Sequence, residues 1–105
     1  MKALAAFDVL GEPNRRAILD LLRDGERAVG DLVDHLNVSQ PAVSKHLRVL
    51  KDAGLVAARG DAQRRLYRIS PEPLEALDVW LEPYRRFWTT HLDQLESHLD
   101  RRRKT

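Results

Sequence analysis

The chain has 105 residues, the length of one small domain, and 43% of them are hydrophobic, which is enough to build a core. The absence of cysteine excludes disulfides, thiolate metal sites and cysteine nucleophiles, and no apolar run reaches the roughly 18 residues that a membrane span needs. The net charge is only +2, and the N-terminus has no signal-peptide pattern, so we expect a globular, cytoplasmic protein without a membrane segment.

Two helices are predicted in the first quarter of the chain. Apolar side chains recur at helical spacing over residues 2–10, and Gly11 follows as a C-cap. Pro13 suits the first position of a second helix, because its ring fixes a helical φ and its missing N–H is not needed there. We expect this second helix to end before Gly25.

Residues 29–53 are predicted to form two short helices joined by a tight turn. An extended piece at residues 26–28 precedes the first helix, and Asn37 is expected to end that helix in the left-handed conformation. Ser39 is the predicted N-cap of the second helix. The side chains predicted to face inward from the second helix are Val43, Leu47, Val49 and Leu50. This spacing is that of a helix-turn-helix, although helix pairs that bind no DNA share it.

The outer face of the second helix is polar and suits DNA. A glutamine can pair bidentately with adenine, and a helix N-terminus attracts phosphate oxygens. The side chains of this helix predicted to contact DNA are Ser39, Gln40, Ser44, Lys45, His46, Arg48 and Lys51. Of these, Gln40, Ser44 and Lys45 are expected to read base edges. His46 could instead be turned along the helix backbone.

Two β-like runs within residues 55–69 predict a small hairpin, with Gly60 and Asp61 as the turn signal. Arg64 and Arg65 would extend the basic surface as a wing and contact phosphates. Over residues 39–68 the chain carries seven basic and two acidic side chains, a balance typical of a surface that binds a polyanion. A solvated face with interspersed charges is the alternative interpretation.

Residues 73–101 are predicted to form a long C-terminal helix whose apolar side chains recur every three or four residues, with Pro83 expected to kink or split it. This apolar seam exceeds what one small domain needs to cover its own core. We therefore predict a homodimer formed by this helix and residues 3–10, rather than packing within one chain. The residues predicted to hold the dimer are Leu4, Phe7, Leu77, Leu81, Tyr84, Trp88, Leu92 and Leu95.

The run from Val38 to Val56 closely resembles the recognition helix of the arsenic-repressor (ArsR/SmtB-like) family of bacterial regulators, and the run from Leu10 to Leu19 is similar to the start of that family's second helix. The resemblance covers residues 4–69. It implies a mainly α winged helix-turn-helix of order α-α-α-α-β-β-α, in one domain over residues 1–105. It also implies a homodimer that represses transcription from a pseudo-palindromic double-stranded DNA operator.

The sequence departs from the metal-sensing members of that family. Their thiolate ligands align with Ala28 and Gly30, and His91 and His98 do not reproduce their last-helix site. We therefore predict no metal site and no cofactor. Two histidines seven residues apart could still share a helix face, so a metal-responsive repressor with a histidine site at the dimer interface is the alternative function.

Two other classes of protein fit the sequence less well. An enzyme would need a catalytic arrangement, but Ser44 and His46 are two residues apart on a helix and do not face each other, and no glycine-rich phosphate loop is present. A winged helix that binds another protein has no reason to concentrate basic residues in its second helix and hairpin. The sequence therefore predicts DNA binding without catalysis.

Overall fold

The computed structural model describes the backbone of residues 2–103 and the side chains of residues 5–100. Its elements in chain order are α1 (Lys2–Leu10), α2 (Pro13–Leu22), β1 (Arg27–Ala28), α3 (Val29–His35), α4 (Gln40–Asp52), β2 (Val56–Asp61), β3 (Arg64–Ile69) and α5 (Glu72–Arg103). The predicted helical architecture with a hairpin wing is confirmed. The extended piece at residues 26–28 contains β1, which makes the hairpin a three-stranded sheet.

The sheet is antiparallel throughout, with the strand order β1-β3-β2. Val56 pairs with Ile69 at the base of the wing, and Asp61 pairs with Arg64 at its tip. Tyr67 and Ile69 pack against the core, so the side chain of Leu66, one residue before Tyr67 and on the other face of β3, points away from it. The sheet therefore has an inner face, which packs on the core, and an outer face, which carries Leu66.

The hydrophobic core lies where the first four helices meet the base of the wing and the first turns of α5. The buried members of this core are Ala6, Ile18, Leu19, Leu22, Leu32, Val43, Leu47, Leu50, Leu55, Val56 and Leu77. Leu77 was predicted to hold a dimer, and that prediction is wrong for its side chain. It lies one turn into α5, where the helix still rests on its own domain, and it is buried there.

Two adjacent arginines join the end of α1 to the start of α2. Arg15 Nε donates to the carbonyl of Val9 at 2.6 Å, and Arg16 Nη1 donates to the carbonyl of Leu10 at 2.7 Å. The last carbonyls of a helix have no partner within it, so these guanidinium groups satisfy two of them. Hydrogen bonds from two side chains therefore fix the connection between α1 and α2, in addition to the backbone that links them.

Two predicted turns differ from the structure. Asn37 is not left-handed, because Ala62 is the non-glycine residue with a positive φ in the described part of the chain. Helix α3 instead ends where Leu36 becomes extended, which lets its side chain pack against the core. Gly60 and Asp61 are paired in β2, and the wing turns at residues 62–63 with Ala62 at φ 57°. Val56 is buried and its partner Ile69 packs against the core, and this pairing sets the register and overrides the local turn signal.

Helix α5 is continuous through Pro83, so the predicted split does not occur. A proline in a helix leaves the carbonyl four residues earlier without a donor, here that of Val79. Val79 is exposed, and water can satisfy that carbonyl. Every described side chain from Arg86 to Asp100 is exposed, so the second half of α5 extends beyond the domain.

Val49, which was predicted to face inward, is only half-buried, whereas the other three predicted inward side chains of α4 are fully buried. Val49 follows the exposed Arg48 and precedes the buried Leu50, so it lies at the border between the two faces of the helix. The apolar stripe that seats α4 on the core is therefore narrower than the sequence pattern indicated.

Candidate nucleic-acid interface

Helix α4 begins at a side-chain cap. Ser39 is extended, and its Oγ accepts a hydrogen bond from the backbone N–H of Ala42 at 3.3 Å. Pro41 occupies the first turn, where no N–H is needed from it. The helix ends at Ala53, and Gly54 follows at a φ of 77°, which a residue with a Cβ rarely adopts. Both ends of α4 are therefore determined by residues in its own sequence.

The buried face of α4 orients its polar face outward. Val43, Leu47 and Leu50 have no exposed surface and anchor the helix on the core. The exposed side chains on the opposite side are Gln40, Ser44, Lys45, Arg48 and Lys51. The three basic side chains of this set have no carboxylate within 4.0 Å among the described side chains. Their charges are therefore available to an anion.

The side chain of His46 does not point outward with the polar residues of α4. Its side chain is 17% exposed, and its Nε2 lies 3.8 Å from Oε2 of Glu12, outside α4. Glu12 also caps α2, since its Oε2 accepts from the backbone N–H of Arg15 at 3.0 Å. His46 therefore lies between α4 and the start of α2, away from the exposed polar face.

The wing presents cations in two different states. Arg65 and Arg68 are exposed and have no carboxylate within 4.0 Å in the described part of the chain. Arg64 lies beside Asp61, with Nη2 and Oδ2 3.3 Å apart. Arg59 makes a bidentate pair with Glu26, in which Nε–Oε2 and Nη2–Oε1 both measure 2.9 Å. Only part of the positive charge of the wing is therefore unpaired.

The pair of Glu26 and Arg59 also changes the ionisation of both groups. The hydrogen bonds from Arg59 hold the pKa of the Glu26 carboxyl below its usual range, and Glu26 raises the pKa of Arg59. Both shifts favour the charged forms, so the two groups are ionised in the folded protein at neutral pH. Neither Glu26 nor Glu12 was found from the sequence. Glu26 and Arg59 are 33 residues apart in the sequence, so no local pattern links them. Glutamate is not among the usual N-cap residues, although the position of Glu12 directly before Pro13 does indicate a helix start.

A strip of exposed apolar side chains runs along α5. Phe7 of α1 packs edge-on against Trp80, with ring centroids 5.0 Å apart, and Trp80 lies 4.7 Å from Tyr84. Beyond these rings the exposed apolar residues continue, and Trp88 is 42% exposed. The further exposed leucines on this side are Leu92, Leu95 and Leu99. Leu81 is half-buried, and the side chain of Leu4 lies outside the described residues.

The described side chains contain no group of three or more histidines, aspartates or glutamates that could hold a metal ion. His91 stacks on Phe87 in parallel planes, with centroids 6.5 Å apart. Across the helices that the structure describes, none is both long and apolar enough to cross a membrane.

The sequence matches one family model, described as "Bacterial regulatory protein, arsR family", over residues 12–58. Among curated proteins it is similar to the HTH-type transcriptional regulator Rv2034 of Mycobacterium tuberculosis, with 47% identity over 95 residues that cover 90% of this chain and 86% of the relative. It is also similar to the transcriptional repressor SdpR of Bacillus subtilis, with 35% identity over 75 residues, 71% of this chain and 83% of the relative.

Solved structures with the same fold include a possible transcriptional regulator for arsenical resistance, with 41% identity and a TM-score of 0.68, covering 86% of this chain and 91% of that one. An ArsR-like transcriptional regulator from Rhodococcus sp. RHA1 aligns with a TM-score of 0.72 at 26% identity, covering 91% of both chains. These alignments cover most of the chain within a shared fold, and not only a short motif.

Proposed function

The chain belongs to the ArsR family of bacterial regulatory proteins, and we propose on that premise that it is a homodimeric repressor of transcription that binds a two-fold symmetric DNA operator. A member of this family is a DNA-binding transcriptional regulator and not an enzyme. The observation that carries the proposal is the exposed basic face of α4, whose cations have no carboxylate partner among the described side chains, together with the exposed arginines of the wing. Since the proposed ligand is chromosomal DNA, we expect the protein to work in the cytoplasm.

The base-reading residues lie near the N-terminus of α4. Gln40, Ser44 and Lys45 are exposed on its outer face, and the recognition helix of a helix-turn-helix contacts base edges with its N-terminal residues. Their amide, hydroxyl and ammonium groups supply both donors and acceptors to the major groove. These three residues give the protein its sequence preference.

Phosphate contacts surround these base contacts. Ser39 lies at the helix N-terminus, where backbone N–H groups and the helix dipole favour an anion. Arg48 and Lys51 follow along the exposed face of α4, and Arg64 and Arg65 project from the wing. These cations set the register of the protein on the duplex and make binding depend on salt. His46, which faces Glu12, acts as a positioning residue for α4 rather than as a contact.

The homodimer forms through the apolar strip of α5 together with α1. An exposed apolar strip of this length is unusual for a monomeric protein, and a two-fold interface covers it with an identical strip. Trp88 lies near its centre. The dimer places two α4 helices on one duplex, with half-sites about 34 Å, or one helical turn, apart.

Metal ions do not control this repressor. The chain has no cysteine, and Ala28 and Gly30 stand where the metal-sensing relatives have thiolates. His91 is stacked on Phe87 in the exposed half of α5. Two histidines without a set of carboxylates make a poor tetrahedral site. Operator binding is therefore controlled independently of thiolate chemistry.

Selection of bound sequences from a pool of random duplexes tests the proposal. We expect enrichment of a pseudo-palindrome by the unmodified protein, and the same sequence bound more weakly by Arg48→Ala, which removes a phosphate contact. Arg23→Ala removes the same charge from an exposed position at the end of α2 and should bind that sequence as tightly as the unmodified protein does. If the unmodified protein enriches no sequence, the proposed function is wrong.

A further inference from the structure

The ion pair of Glu26 and Arg59 lies across the middle strand of the sheet. Glu26 immediately precedes β1 and Arg59 is in β2, and β3 separates these two strands. The side chains of the pair therefore meet above β3. Three hydrogen bonds join them, from Nε to both carboxylate oxygens and from Nη2 to Oε1, at 2.9–3.2 Å.

The pair lies on the outer face of the sheet, next to Leu66. Leu66 pairs in register with Ala28 on one side and with Arg59 on the other, and directly paired residues share a face. Leu66 points away from the core and yet is only 8% exposed. The hydrogen bonds to Glu26 on this face direct the Arg59 side chain across the sheet instead of outward from the wing.

Arg59 differs in this respect from the neighbouring wing arginines. Arg65 has no carboxylate within 4.0 Å in the described part of the chain, and Arg64 makes a single contact of 3.3 Å with Asp61. A phosphate that binds Arg65 gains a new ion pair. A phosphate that binds Arg59 has to replace an ion pair with better geometry, because fork-to-fork pairing of a guanidinium and a carboxylate is among the strongest hydrogen-bonded arrangements.

We propose that Glu26 is a positioning residue that holds Arg59 on the outer face of the sheet and so withholds one wing cation per subunit from the DNA phosphates. This inference rests on the proposed DNA-binding function. Phosphate contacts supply nearly all of the binding to non-operator DNA. By withholding Arg59, Glu26 limits the affinity of the protein for DNA of any sequence, and the wing contacts phosphates through its remaining arginines.

The test measures how the dissociation constant for a random-sequence duplex of about 30 base pairs, roughly three helical turns, depends on salt concentration. Each phosphate contact contributes about 0.9 to the slope of the logarithmic plot. For Glu26→Gln, which removes the charge and keeps the size, we expect a slope steeper by about one unit per subunit and binding tighter by about three- to tenfold at 0.1 M salt. For Arg59→Ala we expect an unchanged slope.

Asp24→Asn is the matched control. Asp24 is exposed, lies two residues before Glu26, and has no cation within 4.0 Å among the described side chains. It removes the same charge from nearly the same place, so it should leave the slope unchanged. In the double variant of Glu26→Gln and Arg59→Ala, the effect of Glu26→Gln should disappear, because the cation it releases is no longer there.

Three results would overturn the inference. The first is a flatter slope for Arg59→Ala by about one unit per subunit, since Arg59 would then already contact phosphate. The second is an equal change for Glu26→Gln and Asp24→Asn, which would be an effect of net charge. The third is an unchanged slope for Glu26→Gln. If Glu26→Gln loses its β-sheet circular dichroism, the salt dependence of Arg59→Ala alone decides whether Arg59 contacts phosphate. An unmodified protein that binds no duplex would instead contradict the proposed function.

Discussion

His46 Nε2, on the proposed recognition helix, lies 3.8 Å from Oε2 of Glu12, the carboxylate that caps α2. The neighbouring Arg15 donates its backbone N–H to the same carboxylate oxygen and its Nε to the carbonyl of Val9. The side chains of His46, Glu12 and Arg15 thus connect α4 to the start of α2 and the end of α1. The helix that we propose reads DNA and the helix that we propose supports the dimer therefore share one polar junction.

Glu12→Ala tests the contribution of this junction to stability. Loss of the cap leaves the N–H of Arg15 without its acceptor and should lower the free energy of unfolding by about 0.5–2 kcal/mol. For a domain of this size the melting temperature falls by about 4–8 °C for each kcal/mol. Thermal unfolding followed by circular dichroism, at one fixed protein concentration, measures it. Glu12→Gln keeps an acceptor oxygen and should lose clearly less, so equal losses would contradict the capping role.

Trp88→Glu tests the proposed dimer. A charge at the centre of the apolar strip would have to be buried without a partner, so we expect monomers in sedimentation at micromolar concentration. Val79→Glu is the control, because Val79 is nine residues earlier on α5, on the opposite side of the helix, and is exposed. It should sediment as a dimer. A well-folded monomer for the unmodified protein would be inconsistent with the dimer.

Elements that depend on neighbouring residues could be predicted from the sequence. Pro13 begins α2, Ser39 caps α4, and Gly54 follows its end, because each acts through its own backbone or through an N–H within three residues. The exposed face of α4 followed from helical period alone. The hairpin and the order of the elements also followed from local signals, and the family resemblance added the homodimer and the repression of transcription as expectations.

The features that could not be predicted all depend on distant partners. The position of the wing turn at Ala62 follows from the pairing of Val56 with Ile69, and not from Gly60, two residues earlier. The orientation of His46 depends on Glu12, 34 positions earlier in the sequence. Leu77 has the same apolar spacing as Trp88, but the domain beneath the start of α5 buries one and leaves the other exposed. Periodicity identifies a face of a helix but does not identify what covers it.

Titration with metal ions tests the assignment of metal independence. Zinc, nickel and arsenite should change the affinity of the protein for its selected duplex by less than about twofold, well below the 1–3 kcal/mol that is typical of allosteric coupling. The reason is that Ala28 and Gly30 align with the positions at which the metal-sensing members of the family carry thiolate ligands. Fluorescence anisotropy of a labelled duplex gives the affinities. A tenfold loss that His91→Ala or His98→Ala abolishes would establish the histidine-based alternative instead.

Gln40→Ala tests base reading by α4. Gln40 is exposed in the first turn of the helix, where an amide can reach a base edge. We expect a loss of about 1–3 kcal/mol on the selected duplex, a much smaller loss on random DNA, and a relaxed preference at one base pair in each half-site. Repeating the selection with the variant measures all three. Equal weakening on both duplexes would assign Gln40 to the phosphates.

Arg65→Ala and Arg64→Ala test phosphate contact by the wing, and the structure predicts that they differ. Arg65 has no carboxylate within 4.0 Å in the described part of the chain, so its removal should weaken binding to selected and random duplexes alike and flatten the salt dependence by about one unit of slope per subunit. Arg64 must first lose its contact with Asp61, so it gains less binding free energy from a phosphate than Arg65 does. Its removal should therefore cost less affinity on both duplexes, and in the Asp61→Asn background the cost should rise toward that of Arg65→Ala. Should Arg65→Ala instead alter the selected sequence while the salt dependence stays the same, the wing would be reading bases and the roles of wing and helix would be reversed.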